Sequence, residues 1–215
     1  MRIISLNVGL PRSIPYNNGE VQTGIFKSAV AGPRMMRRHN LDGDGQADLK
    51  NHGGVAKAVY AYSSEHYEFW HRELPGMELP WGIFGENLTT EGLREEDACI
   101  GDHYRIGRAV LRVCQPRIPC YKLGIRFGRD DMPKRFLASC RSGIYFSVVE
   151  EGLIGAGDAI ERILRGEHGI TVADVQRAYV HVRDEAALVR RMLSLQILPP
   201  GLHQDFAEKL AALET

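Results

Sequence analysis

Short apolar runs separated by glycine-containing turns fill the first 165 residues, and this pattern limits the fold more than any other feature of the sequence. Each run is rich in residues that favour extended backbone and stops at a turn residue. The strand candidates are Arg2–Val8, 22–30, 57–62, 104–106, 110–114, 144–149 and 158–164. Many short strands at near-regular spacing favour a closed β structure over alternating strands and helices. We therefore predict a mainly β fold, a β-barrel with a few short helices.

Helical patterns interrupt the strands twice and then replace them. Residues 65–73 follow two serines that can cap a helix, and the segment from Asp130 to Ser139 opens with Asp-Asp-Met-Pro. After residue 166, Thr171 with Asp174 three residues later resembles an N-terminal capping pair for residues 172–181. Two more amphipathic helices follow, residues 185–196 capped by Asp184 and a last helix whose apolar face is Phe206, Leu210 and Leu213. We predict a strand-rich domain at 1–165 and a three-helix module at 166–215.

Charge and apolar content exclude several classes of protein. The chain has 27 basic and 27 acidic side chains, so it lacks the cationic surplus of a duplex DNA binder, and we expect no nucleic-acid partner. No run reaches the roughly 18 apolar residues of a membrane span. The first residues enter a strand-like run without a signal-peptide core, and the four cysteines form no C-x-x-C pair. We expect a cytoplasmic protein with reduced thiols.

An acidic, glycine-rich segment spans residues 42–54. An EF-hand loop needs glycine at its sixth position and glutamate at its twelfth, but counting from Asp42 these positions hold Ala47 and Gly53. His52, Gly53 and Gly54, with Lys57 soon after, instead combine bare backbone amides with cationic side chains. This combination suits a phosphate or another anion. The alternative is that the aspartates and glycines only build turns.

Two further segments carry polar groups between turn residues. In the first, residues 84–88, Glu86 and Asn87 follow a glycine, and the residue types alone favour a loop with local hydrogen bonds. In the second, residues 115–124, two prolines restrict the backbone around Cys120. Arg117 and Lys122 flank this thiol, and nearby cations favour the thiolate, which is both a soft metal ligand and a nucleophile. Cys120 is the first candidate for a reactive residue, although a lone cysteine is usually structural.

Together, in this order, these segments resemble the MOSC domain, named after the C-terminal domain of molybdenum cofactor sulfurases, and in particular its YiiM-type bacterial members. That subgroup is linked to resistance to the base analogue 6-N-hydroxylaminopurine. The matching stretches are Asp42-Gly-Asp-Gly-Gln-Ala-Asp48, Asn51-His-Gly-Gly54, Gly85-Glu-Asn-Leu-Thr89, Ile100-Gly-Asp102, Gln115-Pro-Arg117 and Pro119-Cys-Tyr-Lys-Leu123. The tail from Ile170 resembles the three-helix domain that follows MOSC in this subgroup, so the resemblance covers nearly the whole chain.

The resemblance implies a MOSC-type β-barrel that binds molybdenum cofactor (molybdopterin) and reduces N-hydroxylated compounds such as hydroxylaminopurines, hydroxylamines and amidoximes. Cys120 matches the cysteine that gives the metal a thiolate ligand. The resemblance implies that one group of residues holds the anionic cofactor or moves protons: His52, Lys57, Arg117, Lys122, Gly53 and Gly54. It implies that Glu86 and Asn87 face the substrate and that Asp48 orients the His52 loop.

Other interpretations stay open from the sequence. Cys120 could carry a persulfide in a non-redox sulfur or cofactor carrier, and the C-terminal helices could dock a partner. Pyridoxal phosphate is a weaker alternative, with Lys57 or Lys122 as its Schiff-base lysine. For the reductase we expect a small N-hydroxylated substrate and a separate electron-donating reductase; the sequence does not decide the oligomeric state, and a homodimer is one option.

Overall fold

The structure, a computed structural model, describes residues 1–47 and 53–213. Its strands are β1 (Arg2–Val8), β2 (Arg12–Tyr16), β3 (Gly19–Thr23), β4 (Ser28–Val30), β5 (Arg34–Met36), β6 (Val59–Ser63), β7 (Leu88–Glu91), β8 (His103–Ile106), β9 (Ala109–Pro116), β10 (Ile144–Glu150), β11 (Gly152–Ile154) and β12 (Ile160–Leu164). Its helices are α1 (Glu65–Glu73), α2 (Tyr121–Phe127), α3 (Met132–Ala138), α4 (Val172–Val180), α5 (Ala186–Leu195) and α6 (Pro200–Ala211), with a 3₁₀ turn at Val55–Lys57. The predicted mainly β fold class is confirmed.

Eight strands form one mixed sheet in the order β12-β8-β9-β10-β6-β7-β1-β4. Only β6 and β7 run parallel; the other neighbours in this sheet are antiparallel. The sheet curls back on itself, since a single bridge joins Arg2 at the start of β1 to Ala159 just before β12. It is not the closed barrel that we predicted, because β4 occupies the same edge of β1 from Leu6 to Val8 and leaves only its beginning for β12.

Several predicted strands have the expected positions, and one is wrong. The hairpin around Gly107 is confirmed as β8 and β9, in which Ile106 pairs with Ala109. The single strand predicted at 22–30 is instead the end of β3 and the short β4, with residues 24–27 between them outside any strand. The chain passes close to another loop there, since a Cβ on Gly24 would lie 2.5 Å from the carbonyl oxygen of Gly45.

The predicted helix at 65–73 is confirmed as α1, and the segment opened by Asp130 contains α3. The sequence reasoning missed α2, which starts directly after Cys120 and ends at Gly128, a left-handed residue with φ 62°. Its short length left no amphipathic period to detect, since seven residues make only about two turns. This missed helix is important for the site because it begins at the candidate cysteine.

The three C-terminal helices are confirmed, and Thr171 and Asp174 form the predicted capping box. Asp184 is not the cap of α5, whose N-cap is Glu185. Leu213 is wrongly predicted as part of the apolar face of α6: it lies beyond the helix and is 38% exposed. The boundary between 165 and 166 stays a prediction.

The helices and the sheet share one hydrophobic cluster. Val175, Met192 and Phe206 from the helices lie in the same cluster as Leu111 and Phe146 from the sheet. A second cluster lies under α1, α2 and α3 and is mainly aromatic; it includes Tyr62, Trp70, Phe84, Phe127 and Phe136. Within the described residues, no helix is both long enough and apolar enough to pass through a membrane.

The shared cluster predicts that helices and sheet unfold together. Phe206 is fully buried there, so Phe206→Ala should lower the free energy of unfolding by about 3–5 kcal/mol. Urea denaturation followed by far-UV circular dichroism and by tryptophan fluorescence should show one coincident transition for the variant. Leu213→Ala is the control, with an expected change within about 0.5 kcal/mol. Two separated transitions would show that the helices have a core of their own.

Candidate active site

The candidate cysteine, Cys120, lines a cavity that we call the cysteine cavity. It has a volume of about 100 Å³ and is walled by β6, β10, the loops around residues 24, 45 and 85, and the segment from Arg117 into α2. Five of the residues predicted for the site line it: Lys57, Asn87, Arg117, Cys120 and Lys122. Residues from six separate stretches of the chain therefore meet in one place.

Cys120 lies where β9 has ended and α2 begins. It is the N-cap residue of α2, with extended backbone at φ −126° and ψ 175°, and it is partly exposed. The two prolines on its N-terminal side keep residues 116–119 out of regular helix, so that the turn into α2 falls at the cysteine. Lys122 is on the first turn of α2 and is 8% exposed. The thiol is thus held at the mouth of the cavity by rigid backbone on both sides.

Arg117 is buried in the cavity wall. Its Nη1 donates to the carbonyl oxygen of Phe84, and its Cζ lies 4.9 Å from the centre of the Tyr60 ring. Burial alone would lower its pKa, but the nearby hydroxyls of Tyr60 and Tyr145 and the thiol of Cys120 raise it on balance. The guanidinium therefore remains charged although water has little access to it.

A hydrogen-bonded chain of side chains forms the floor of the cavity. The Lys27 ammonium pairs with Oδ1 of Asp44, and Oδ2 of Asp44 accepts from Nδ2 of Asn87 at 2.8 Å. Oδ1 of Asn87 accepts from the backbone N–H of Tyr60 at 3.1 Å. Burial lowers the pKa of Lys27, and the Asp44 carboxylate counteracts part of that shift. The result is a buried ammonium that gives up its proton more readily than an exposed lysine.

Glu86 lies behind the cavity wall and is fully buried. Its Oε1 accepts from the hydroxyls of Tyr67 and Thr89 and from the backbone N–H of Gly82, while its Oε2 has no hydrogen-bond partner. Burial raises the pKa of this carboxyl, although the three donors work against the shift. Its predicted role facing the substrate stays a prediction.

Gly53 and Gly54 line a neighbouring groove rather than the cysteine cavity. This groove runs to the start of α6, and Lys57 and Tyr145 line both spaces. The backbone N–H of Gly54 donates to Oε1 of Gln46 at 3.0 Å, which connects the groove to the cavity wall. The predicted residues Asp48 and His52 lie outside the described residues.

The charge of the cavity suits an anionic ligand. Its lining holds four cationic side chains and one carboxylate, that of Asp44, which is already paired with Lys27. Among the residues that the structure describes, no group of three or more histidine, cysteine or acidic side chains is arranged for a metal. These features fit a metal that brings most of its ligands with it on an anionic carrier, as molybdenum would on the dithiolene of its phosphate-bearing pterin. Cys120 is the thiol available to such a group.

Sequence reasoning missed Lys27, Tyr60 and Tyr145, which also line the cavity. Lys27 follows an apolar run in the segment that we assigned to a single strand, and both tyrosines look like ordinary strand residues. Asp44 was noticed in a possible calcium loop and in a segment that carries the family resemblance, but it was given no role in the site. A buried ion pair between residues 17 positions apart leaves no local pattern. Only the fold, which brings these loops together, identifies them.

Three comparisons with known proteins agree with this architecture. The MOSC domain family matches residues 48–161. The protein named "Uncharacterized protein YflK" of Bacillus subtilis (strain 168) is 42% identical over 207 residues, 96% of this chain and 93% of YflK. A protein named "Reductase" of Gibberella moniliformis is 36% identical over 162 residues, which cover 74% of this chain and 29% of that protein. The crystal structure of YiiM from Geobacillus stearothermophilus superimposes with a TM-score of 0.81 at 35% identity and covers 97% of this chain and 98% of its own.

The geometry predicts that residue 85 must be glycine. Gly85 has φ +78°, and a Cβ there would lie 2.8 Å from Cγ1 of Ile25. Gly76 has a similar φ of +81° but no atom within 4 Å of its Cβ position. Gly85→Ala should therefore cost about 1–3 kcal/mol more than Gly76→Ala in urea unfolding, since only the first adds a clash to the backbone strain. Equal costs would show that the loop moves to accept the methyl group.

The raised pKa of Glu86 predicts a pH-dependent stability. The folded protein keeps a proton on this carboxyl above the ordinary value of 4.5, so the wild type should lose stability as the pH rises from 4.5 through the raised pKa. Glu86→Gln retains an oxygen for the three donors and has no proton to lose, so its stability should lack this loss. The measurement is the difference in free energy of unfolding between wild type and variant across the pH series. A difference that does not change with pH would contradict a raised pKa.

Proposed function

Because the chain belongs to the MOSC domain family and is similar to YiiM along nearly its whole length, we propose that it is a molybdenum-cofactor-dependent reductase of N-hydroxylated compounds. Its substrates in this proposal include 6-N-hydroxylaminopurine and related hydroxylamines and amidoximes, which it converts to the amines or amidines and so detoxifies. MOSC domains are associated with molybdenum cofactor binding. The relative named "Reductase" supports oxidoreductase chemistry for this fold.

The observation that carries the proposal is the convergence of one partly exposed thiol with four cationic side chains in the cysteine cavity. Arginine and lysine bind phosphate and other anions through charge-assisted hydrogen bonds, and thiolate is a soft ligand that suits molybdenum. In this proposal Cys120 ligates the metal, while Arg117, Lys57 and Lys122 hold the anionic parts of the cofactor. The cofactor, when bound, supplies two-electron redox chemistry.

The reaction needs two protons as well as two electrons. Reduction of R–NH–OH consumes two electrons and two protons, breaks the N–O bond and releases R–NH₂ and water. Lys27 is the proton donor that we assign within the cavity, because burial lowers its pKa and makes its ammonium a stronger acid. Asp44 and Asn87 keep that ammonium in place through the hydrogen bonds described above. A separate reductase supplies the electrons.

Tyr60 and Tyr145 give the cavity a neutral aromatic wall. Their rings lie 4.9 Å apart between the centroids, and the pKa of each phenol is raised by burial, so both stay neutral. The Tyr60 hydroxyl donates to the carbonyl oxygen of Ser142 at 2.8 Å, which holds its ring against Arg117. A wall of low polarity strengthens the electrostatic hold of Arg117 on an anion.

The test is molybdenum content and N-hydroxylaminopurine reduction of the wild type and of Cys120→Ser, made in a host that produces the cofactor. We expect near-stoichiometric metal in the wild type and its loss, together with at least a hundredfold loss of turnover, in the variant. Cys140→Ser is the matched control, since Cys140 is an exposed free cysteine outside the cavity. Full turnover in Cys120→Ser would exclude the ligand role.

The partial exposure of Cys120 also favours a second candidate, a sulfur or cofactor carrier that holds a persulfide on this cysteine. The same preparations distinguish the two functions. A carrier with a persulfide on Cys120 would release thiocyanate when treated with cyanide, from the wild type and Cys140→Ser but not from Cys120→Ser, and its molybdenum content would not depend on Cys120.

A further inference from the structure

The groove beside the cysteine cavity lies between the 3₁₀ turn at Val55–Lys57 and the start of α6, and we call it the α6 groove. It has a volume of about 550 Å³, against about 100 Å³ for the cysteine cavity. Sites for small molecules have volumes of about 300–1,000 Å³, so the groove is in this range and the cysteine cavity is below it. Lys57 and Tyr145 line both spaces, which therefore meet at these side chains. A molecule that reacts at Cys120 has room for its body in the α6 groove.

The walls of the α6 groove differ in charge from those of the cysteine cavity. Apolar side chains from three segments of the chain line the groove: Val55, Ile118, Pro199, Pro200 and Leu202. Among its described lining residues, the charged ones are Lys57, at the junction, and Asp205, on α6. The groove is thus neutral overall, whereas the cysteine cavity has four cationic side chains and one carboxylate. It suits an uncharged, partly apolar ring better than an anion.

Gln115 is the buried polar side chain of the α6 groove. It lies on β9 directly opposite Tyr145 of β10, so the two side chains share one face of the sheet, and both line the groove. Gln115 is 4% exposed, and among the residues that the structure describes none forms a hydrogen bond with its carboxamide. A buried amide without a partner costs free energy, which a ligand in the groove would remove. One carboxamide offers a donor and an acceptor side by side, the pattern that binds the edge of a heterocyclic base.

Asp205 adds a hydrogen-bond acceptor from the helix side of the groove. It lies on the second turn of α6, is exposed, and has no ion pair or hydrogen bond among the described residues. A carboxylate accepts from a ring N–H or an amino group and repels a phosphate. The groove therefore favours an uncharged base or nucleoside over a nucleotide.

We propose that the α6 groove binds the heterocyclic ring of an N-hydroxylated purine base or nucleoside, with the carboxamide of Gln115 hydrogen-bonded to the ring edge. The N–OH group then enters the cysteine cavity past Tyr145, while the ring lies between the apolar walls. This assignment rests on the proposed function and makes Gln115 a specificity-determining residue. It also gives the C-terminal helices a role, since α6 completes the substrate site.

The first test is binding of adenine, the expected product of 6-N-hydroxylaminopurine, to the full-length protein by isothermal titration calorimetry. We expect adenine to bind the wild type, and Gln115→Leu to bind it about tenfold more weakly because it loses one or two hydrogen bonds. Gly201→Trp should bind it more weakly still. Gly201 lines the groove, is exposed, and has no atom within 4 Å of its Cβ position, so the indole can fill the groove without a clash in the core.

Gln176→Leu is the matched control for the loss of a buried carboxamide. Gln176 is fully buried on α4, has no hydrogen-bond partner and does not line the α6 groove. Its replacement should leave the affinity for adenine unchanged. The proposal is overturned if the wild type does not bind adenine, or if Gln115→Leu and Gly201→Trp both keep the wild-type affinity.

The second test separates ring binding from the reaction itself. Gln115→Leu and Gly201→Trp should raise the KM for 6-N-hydroxylaminopurine about tenfold or more, with kcat/KM for hydroxylamine, which has no ring, unchanged. An equal loss with both substrates would overturn the proposal, because it would show that the variants damage the reacting groups. A wild type without metal or reductase activity would reject the proposed function, and the adenine titrations would still decide whether the groove holds a base.

Discussion

The buried guanidinium of Arg117 is the contact on which the site depends. It joins the end of β9 to the loop before β7 through the carbonyl oxygen of Phe84, and it lies over Tyr60 of β6. Three segments distant in sequence therefore have their positions set by one side chain. The positive φ of Gly85 belongs to the same constraint, since a side chain there would push against Ile25 beside the guanidinium. Cys120 lies three residues after Arg117, so the position of Arg117 also fixes the position of the cysteine.

The electrostatics of this region favour anions throughout. Lys27 and Arg117 are both buried, and a buried charge costs free energy unless something compensates it. Asp44 compensates Lys27 internally, and the tyrosine hydroxyls and the thiol favour the charge of Arg117. Among the described residues, no carboxylate pairs with Arg12 or Arg126. A fold that accepts these costs gains most when it holds a strongly anionic molecule, and the proposed cofactor is of this kind.

Much of the fold and part of the site could be predicted from sequence. The β8–β9 hairpin, α1 and the capping box at Thr171 are local, and each follows from spacing within about ten residues. The same is true of Cys120, framed by prolines and cations, and of Lys57, Arg117 and Lys122, whereas the role of Asn87 came only from the family resemblance. In contrast, α2 was too short to show a helical period. The spacing of strands along the sequence does not show which edge of β1 each neighbour uses, and so we wrongly expected the sheet to close.

The sequence by itself determined the family, the mainly β fold class and the C-terminal helices, and it singled out Cys120 as the candidate thiol. Only the tertiary structure decided which charges meet that thiol and which do not. It added Lys27 and Asp44 to the cavity floor, turned Glu86 away behind the wall, and placed Gly53 and Gly54 in a neighbouring groove. It also brought Arg12 and Arg126 to the ring of Phe26. The physical reason is that ion pairs, ring contacts and cavities depend on distances in space between segments far apart in the chain, whereas motifs and caps depend on neighbours along it.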